Sequence, residues 1–195
     1  MGVRMEGQQL VTFKEPALQP AGADVAVELV HLFDKFRAVR AFALDVDGVL
    51  TDNRVHLTES GEQLRVMNIR DGMGIRFAIE SGFPFCVITG GRSLGVIKRL
   101  NLLGIEHIYS GVTNKWPAFE QFLNTCQLKP AEVCYMGDDV LDLEVLRKVG
   151  LAASPADAVP EVRAVADYIS PLTGGNGCVR DLIEKVLKTQ EKWRF

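Results

Sequence analysis

Histidine is scarce in this chain and cysteine is scattered. Three histidines (His31, His56, His107) and four cysteines (Cys86, Cys126, Cys134, Cys178) stand far apart in 195 residues. No CxxC, HxxxH or HExxH spacing occurs, which removes the usual zinc frameworks. The cysteines lie mostly inside apolar runs, so they read as buried free thiols of a reducing, cytoplasmic compartment rather than as disulfides. Long apolar runs are missing too. A stretch such as Ser81–Gly91 is uncharged but broken by Gly and Pro, and it falls well short of the roughly 20 apolar residues of a membrane span. The opening MGVRMEGQQL has no apolar signal core, and Glu6 occupies the place where a myristoylation motif needs Ser or Thr. No block of one charge is dense enough to bind a nucleic-acid backbone, and the net charge is -3. No internal repeat is present. What remains is a 47% hydrophobic, 24% charged chain, suited to one globular domain with a short appendage.

The pattern along the chain is an alternation. Residues 1–22 are polar and carry no periodicity. Residues 24–37 place Val25, Leu29, Leu32, Phe33 and Phe36 at helical spacing. Residues 1–40 therefore read as an N-terminal extension with a helix, and 41–195 as the main domain. Strands are expected at 41–46, 84–89, 107–109, 133–136, 150–153 and 167–169. Helices are expected from Asp71, as a cap, to Ser81, and over 93–103, 114–123, 141–148, 160–166 and 178–192. The arms 54–58 and 63–69, around Glu59-Ser60-Gly61, read as a hairpin. The fold class that follows is α/β: a Rossmann-like parallel sheet with helices on both faces, plus a β-hairpin lid after the first strand.

In such sheets ligands bind at the carboxyl ends of the strands. Asp45 and Asp47, Thr89, and Asp138 and Asp139 all fall at such ends. Taken singly, an Asp after a strand is a turn or capping residue, and Lys115 is a surface charge. Together, several carboxylates on one edge repel one another unless a cation sits among them. Oxygen donors without nearby Cys or His favour Mg2+ over zinc.

DVDGVLT (45–51), Thr89 in VITGG, Lys115 and GDDVLD (137–142) resemble, in order and spacing, the four motifs of the haloacid dehalogenase superfamily phosphohydrolases. RDGMGIR (70–76), RLNLLGI (99–105) and GGNGCVRD (174–181) are further similar to the superfamily's phosphatases for 3-deoxy-D-manno-octulosonate 8-phosphate, a lipopolysaccharide precursor. The similarity spans about residues 40–190 and departs at Asn176, where that family often has Arg. It implies Asp45 as nucleophile and Asp47 as acid and base. It also implies Thr89 and Lys115 as phosphate-side groups, and a magnesium held by Asp45, the Asp47 carbonyl and Asp138. Asp139 and Asp142 would orient these from behind. Gly90, Arg70, Arg92 and Arg99 are the candidates for substrate binding: for the substrate's carboxylate Arg70 comes first and Arg92 next, while Arg99 and Arg180 match family positions but fit salt-bridge roles equally. The stretch from Asp52 to Asp71 holds a hairpin but no domain, so the protein reads as capless. The hairpin's apolar positions (Val55, Leu57, Leu64, Val66, Ile69) then need either their own domain or a neighbouring subunit, and the resemblance implies a homotetramer. The turn 174–177 is either a tail that closes over the site or only a turn before a helix. Three other readings fit less of the chain: a phosphatase for a nine-carbon keto-sugar acid 9-phosphate, a non-catalytic tetramerisation domain of the same fold, and a phosphoacceptor receiver domain. An intact Asp45, Asp47, Lys115 and Asp138 speaks against the tetramerisation domain. Receivers lack DxDGxxT.

Overall fold

The structure, a computed structural model, describes residues 22–194, with side chains from Val30 onward. The expectation for residues 1–22 and the side chains of Val25 and Leu29 lie outside the described residues. Helix α1 (Gly22–Ala38) leads into β1 (Ala41–Leu44). A hairpin of two short strands follows, β2 (His56–Leu57) and β3 (Gln63–Leu64). The chain then alternates: α2 (Ile69–Glu80), β4 (Phe85–Thr89), α3 (Leu94–Leu102), β5 (His107–Ser110), α4 (Lys115–Cys126), β6 (Val133–Met136), α5 (Leu143–Leu146), β7 (Leu151–Ser154), α6 (Pro160–Arg163), β8 (Tyr168–Ile169) and α7 (Cys178–Thr189). The main sheet is parallel, in the order β5-β4-β1-β6-β7-β8.

Period two along β1 sorts its side chains between two cores. Phe42 and Leu44 face a layer that includes Phe36 of α1, Ile75 of α2, Leu100 of α3 and Leu182 and Val186 of α7. Ala41 and Ala43 face Phe119 and Phe122 of α4, Val145 of α5 and Val162 of α6. Small residues on one side let the α4 aromatics come close, and large residues on the other fill the wider gap. Removing one such ring, as in Phe42→Ala, carries a cost of about 3–5 kcal/mol. Phe33, placed with the apolar face of α1 by its spacing, is instead 49% exposed.

Several local expectations are corrected. The eight-residue helix expected over 141–148 is a 3-10 turn (Val140–Asp142) followed by the single turn of α5. The hairpin pairs only His56 with Leu64 and Leu57 with Gln63, shorter than the arms expected. Asp71 does not cap α2. Asn68 does, its side chain accepting from the Arg70 N–H at 2.8 Å. Asp71 lies within the first turn, buried, and accepts from the N–H groups of Gly177 (3.2 Å) and Arg180 (2.7 Å). It thereby supplies the capping acceptor for α7 that Gly177 lacks. The two helices approach through Gly74, where an added Cβ would lie 3.3 Å from the Arg180 Cα.

From β1 the chain winds outward through β4 to β5 on one side, then crosses back by α4 to β6 on the other side of β1. The crevice at its carboxyl end is the switch point of the sheet, the place where open α/β folds bind ligands.

Candidate active site

Residues 45–51 leave β1 and turn at once. The N–H groups of Val49, Leu50 and Thr51 all converge on the Val46 carbonyl, at 3.2, 2.9 and 3.1 Å. Gly48 makes this possible. Its φ is +84°, and a Cβ there would lie 1.9 Å from Asp138 Oδ2. The turn keeps Asp45 buried and leaves Asp47 half-buried, both at the sheet's edge.

Lys115 is the centre of the arrangement. It is the first residue of α4, capped by Asn114, and it is buried. Its Nζ lies 2.8 Å from Asp45 Oδ2 and 2.6 Å from Asp142 Oδ1. Burial works against its charge, but Asp45 and Asp142 outweigh it and raise the ammonium above the usual lysine range. Asp142 is fully committed. Oδ1 also accepts from the Tyr135 hydroxyl at 2.5 Å, and Oδ2 accepts from the N–H groups of Asp138 (3.1 Å) and Asp139 (3.3 Å). Asp142 therefore orients Lys115 and the 137–139 loop from behind. Gly137 is required beside it, since a Cβ would meet the Asp142 Cγ at 2.3 Å. Asp139 is exposed and accepts from the Val140 N–H.

Carboxylate oxygens of Asp45, Asp138 and Asp142 lie within 4.8 Å of one another. Burial, then the charge of Asp142, pushes Asp45 up to about 7. Burial, then the charges of Asp45 and Asp142, pushes Asp138 up to about 7 as well. Asp138 Oδ2 accepts from the Asn53 amide at 3.3 Å, while its buried Oδ1 has no hydrogen-bond partner among the described residues. With Asp142 saturated, the donors this cluster leaves for a hard cation are the carboxylates of Asp45 and Asp138. Gly48 keeps that space open, and all the donors are oxygen. This set fits a divalent cation.

Thr89, at the end of β4, is buried, and its Oγ1 accepts from the Gly91 N–H at 3.0 Å. Gly90 is exposed beside it. Asp45, Asp47, Thr89, Lys115, Asp138 and Asp142 are thus brought to one edge. The arginines are dispersed. Arg99 lines a cavity of about 530 Å³ between the hairpin and α3. Arg92 lies over the end of β5, against Gly111. Arg70 opens onto a separate cavity of about 620 Å³ with Arg180, Lys185 and Lys188.

Sequence reasoning missed three contributors. Tyr135 and Asn53 act through partners that only the fold supplies. The third is Arg65 of the hairpin, whose Nε lies 2.6 Å from Asp47 Oδ1. Period two puts Leu64 and Val66 on one face and Arg65 and Met67 on the other, and the structure turns the second pair inward and leaves the apolar first pair exposed. The turn 174–177 is seated on the 46–52 loop. Gly175 N–H donates to the Val49 carbonyl at 2.9 Å, and a Cβ on Gly174 would lie 2.0 Å from the Gly48 carbonyl oxygen. Asn176 holds the turn's own atoms, donating to Thr173 Oγ1 and the Gly174 carbonyl.

A parallel sheet with a buried aspartate after β1, a second two residues on, a lysine bridging to the acidic loop after β6 and a threonine after β4 defines a haloacid dehalogenase-like hydrolase, and the family of that description matches residues 100–182. Over most of its length the chain is similar to 3-deoxy-D-manno-octulosonate 8-phosphate phosphatases. It is 39% identical to the KdsC enzyme of Salmonella typhi over 179 residues, 90% of this chain and 95% of that one. It is 40% identical to KdsC of Escherichia coli K12, over 89% of this chain and 88% of that one. The crystal structure of the Moraxella catarrhalis phosphatase in complex with magnesium, phosphate and KDO is 34% identical, with a TM-score of 0.80 over 82% of this chain and 92% of that one. The chain belongs to the 3-deoxy-D-manno-octulosonate 8-phosphate phosphatase family.

Proposed function

We propose that this protein hydrolyses the phosphomonoester of an eight-carbon sugar acid, 3-deoxy-D-manno-octulosonate 8-phosphate, with magnesium and through an aspartyl phosphate on Asp45. The observation that carries the reading is the buried Lys115 bridge between Asp45 and Asp142, beside the unpartnered oxygen of Asp138.

The roles follow from position. An Asp45 oxygen attacks phosphorus, and the bond from phosphorus to the sugar oxygen breaks. Asp47 gives its proton to the leaving oxygen, then takes one from the water that attacks the phosphoaspartate and restores Asp45. Lys115 holds Asp45 in place and balances its charge. Thr89 donates its hydroxyl to a phosphate oxygen, and the N–H groups near Val46 and Gly90 complete the cradle. Asp45, the Asp47 carbonyl and Asp138 would hold magnesium, which when bound supplies positive charge against the phosphate. The carboxylates of Asp45, Asp47, Asp138 and Asp142 outnumber the nearby cations Lys115 and Arg65, so the site has the deficit that such an ion fills. Arg99 is the basic candidate best placed for the sugar's carboxylate, because its cavity adjoins the hairpin.

Residues 1–40 serve in this reading as an extension to the catalytic domain 41–195. The described part of it is clasped to that domain by Phe36 and by the Gln190 amide, which donates to the Phe36 and Val39 carbonyls. No helix among the described residues is long and apolar enough to cross a membrane. Cys86, Cys134 and Cys178 are buried and Cys126 half-buried, all as free thiols, which supports a cytoplasmic site of action. The exposed apolar residues of the hairpin support a homotetramer in which neighbours enclose the site.

The test is phosphate release across a panel: the eight-carbon 8-phosphate, a nine-carbon keto-sugar acid 9-phosphate, and neutral sugar phosphates, with magnesium and with chelator. The expected result is the highest kcat/KM on the eight-carbon ester and none without the metal. Asp45→Asn is expected to abolish release while keeping a native circular dichroism spectrum, and Asp47→Asn to lose at least about 100-fold. A folded Asp45→Asn protein with normal turnover would sink the covalent route.

A further inference from the structure

The hairpin presents an inversion of ordinary surface patterning. Leu57 and Leu64 are 73% and 53% exposed, while the side chain of Arg65 is only 10% exposed. Burying a guanidinium is costly unless it is paired, and Arg65 is paired with the carboxylate assigned the proton transfers. The pairing is unequal. Nε lies 2.6 Å from Asp47 Oδ1, whereas Nη2 lies 3.4 Å from Oδ2. Oδ2 also faces the phosphate side. A Cβ built on Gly91 would stand 3.2 Å from Asp47 Oδ2 and 3.4 Å from Thr89 Oγ1, so both atoms line the same small space.

We propose that Arg65 is a positioning residue that tethers Asp47 by Oδ1 and leaves Oδ2 to exchange the proton. The Asp47 side chain is 32% exposed. Without a tether it has several rotamers open to it, of which few aim Oδ2 at the reacting oxygen. The tight contact fixes the rotamer, and the loose one lets Oδ2 carry a proton. In the first step that proton leaves Oδ2 for the sugar oxygen as its bond to phosphorus breaks. In the second, Oδ2 accepts a proton from water as the water oxygen bonds to phosphorus and the phosphorus–Asp45 bond breaks. The tether sits on the hairpin, so order in the hairpin is coupled to proton transfer and not to the nucleophile, which Lys115 holds from the opposite side.

The inference rests on the phosphatase reading, and leaving-group chemistry separates the two. A nitrophenolate leaves with little need of a proton, whereas a sugar alkoxide needs one. The experiment measures kcat and KM for wild type, Arg65→Ala and Arg65→Lys on p-nitrophenyl phosphate, ribose 5-phosphate and 3-deoxy-D-manno-octulosonate 8-phosphate. For Arg65→Ala the expected result is a kcat/KM loss of about 10–100-fold on both sugar phosphates and under about threefold on the aryl ester, because kcat/KM reports departure of the leaving group and not the shared hydrolysis of the phosphoaspartate. Arg65→Lys, which keeps the charge but not the fork, is expected to recover part of the loss. Equal losses of kcat/KM on all three esters, or a loss confined to the carboxylate-bearing sugar, would overturn the assignment. The first would make Arg65 a structural residue and the second a ligand of the sugar acid. A wild type inert on all three would overturn the phosphatase reading along with it.

Discussion

Asp138 holds one oxygen against Asn53 and keeps the other buried without a partner. Such an atom is costly in a metal-free protein, and the cost depends on pH. Asp45 and Asp138 ionise near 3.8 in the unfolded chain and near 7 in the folded one. Between those values folding takes up protons, so their contribution to stability is greatest at the acid end, declines as pH rises and is fully lost above about 7. A cation that binds the ionised pair reverses that trend. The melting temperature gain from saturating magnesium over chelator is therefore expected to be larger at pH 8 than at pH 5.5, as read by scanning fluorimetry. Equal gains at both values would mean that these two carboxylates do not hold the ion. Most of this constellation is legible in the sequence because Asp45, Asp47, Thr89 and Asp138 each follow a strand, and strand ends share one edge. Arg65, Asn53 and Tyr135 are not, because what places them is a partner across a hairpin, a loop or a strand, with no fixed spacing to reveal it.

At the scale of elements, the loop that carries Asp45 and Asp47 is braced by the turn before α7. Gly174 meets the Gly48 carbonyl backbone to backbone, with no flexible side chain to give way. Gly174→Ala is expected to cost about 1–3 kcal/mol, a fall of several degrees in melting temperature for a chain of this size. Because the displaced loop bears the proposed nucleophile, kcat is expected to fall by more, on the order of 100-fold for a displacement near 1 Å. Calorimetry beside steady-state kinetics checks both, and a variant matching wild type in the two would mean that the turn is a mere connection. The strand and helix order was readable from alternation, and α3 and α4 begin just after Ser93 and Asn114, the residues with which the expected helices opened. The role of Asp71 was not, since an acid at a helix start reads as that helix's own cap. Only the packing of α2 on α7 hands its carboxylate to a different helix.

At the scale of the molecule, apolar surface gathers on and beside the hairpin. Leu57, Val66, Ile69, Leu94 and Leu102 are each more than 60% exposed. A two-stranded ribbon is marginally stable alone, and such a patch is the kind that a subunit contact covers. Deleting the tip, residues 58–61, is expected to shift the proposed tetramer toward smaller species by light scattering. It is also expected to lower kcat/KM for the sugar-acid phosphate more than for p-nitrophenyl phosphate, because the small ester needs only the sheet edge. A monomeric wild type would mean that the hairpin serves its own chain alone.

The seat of Gly174 and Gly175 on the 46–52 loop also has a consequence in time. Synthesis runs from the amino end, so the nucleophile emerges from the ribosome long before the turn that braces its loop. A nascent chain that has extruded everything through Ser170 already holds each carboxylate of the centre, yet the backbone bearing two of them has nothing behind it. Competence therefore arrives late in translation, and a chain ending short of Gly174 would keep every carboxylate of the centre but neither the brace of their loop nor the α7 face of the core.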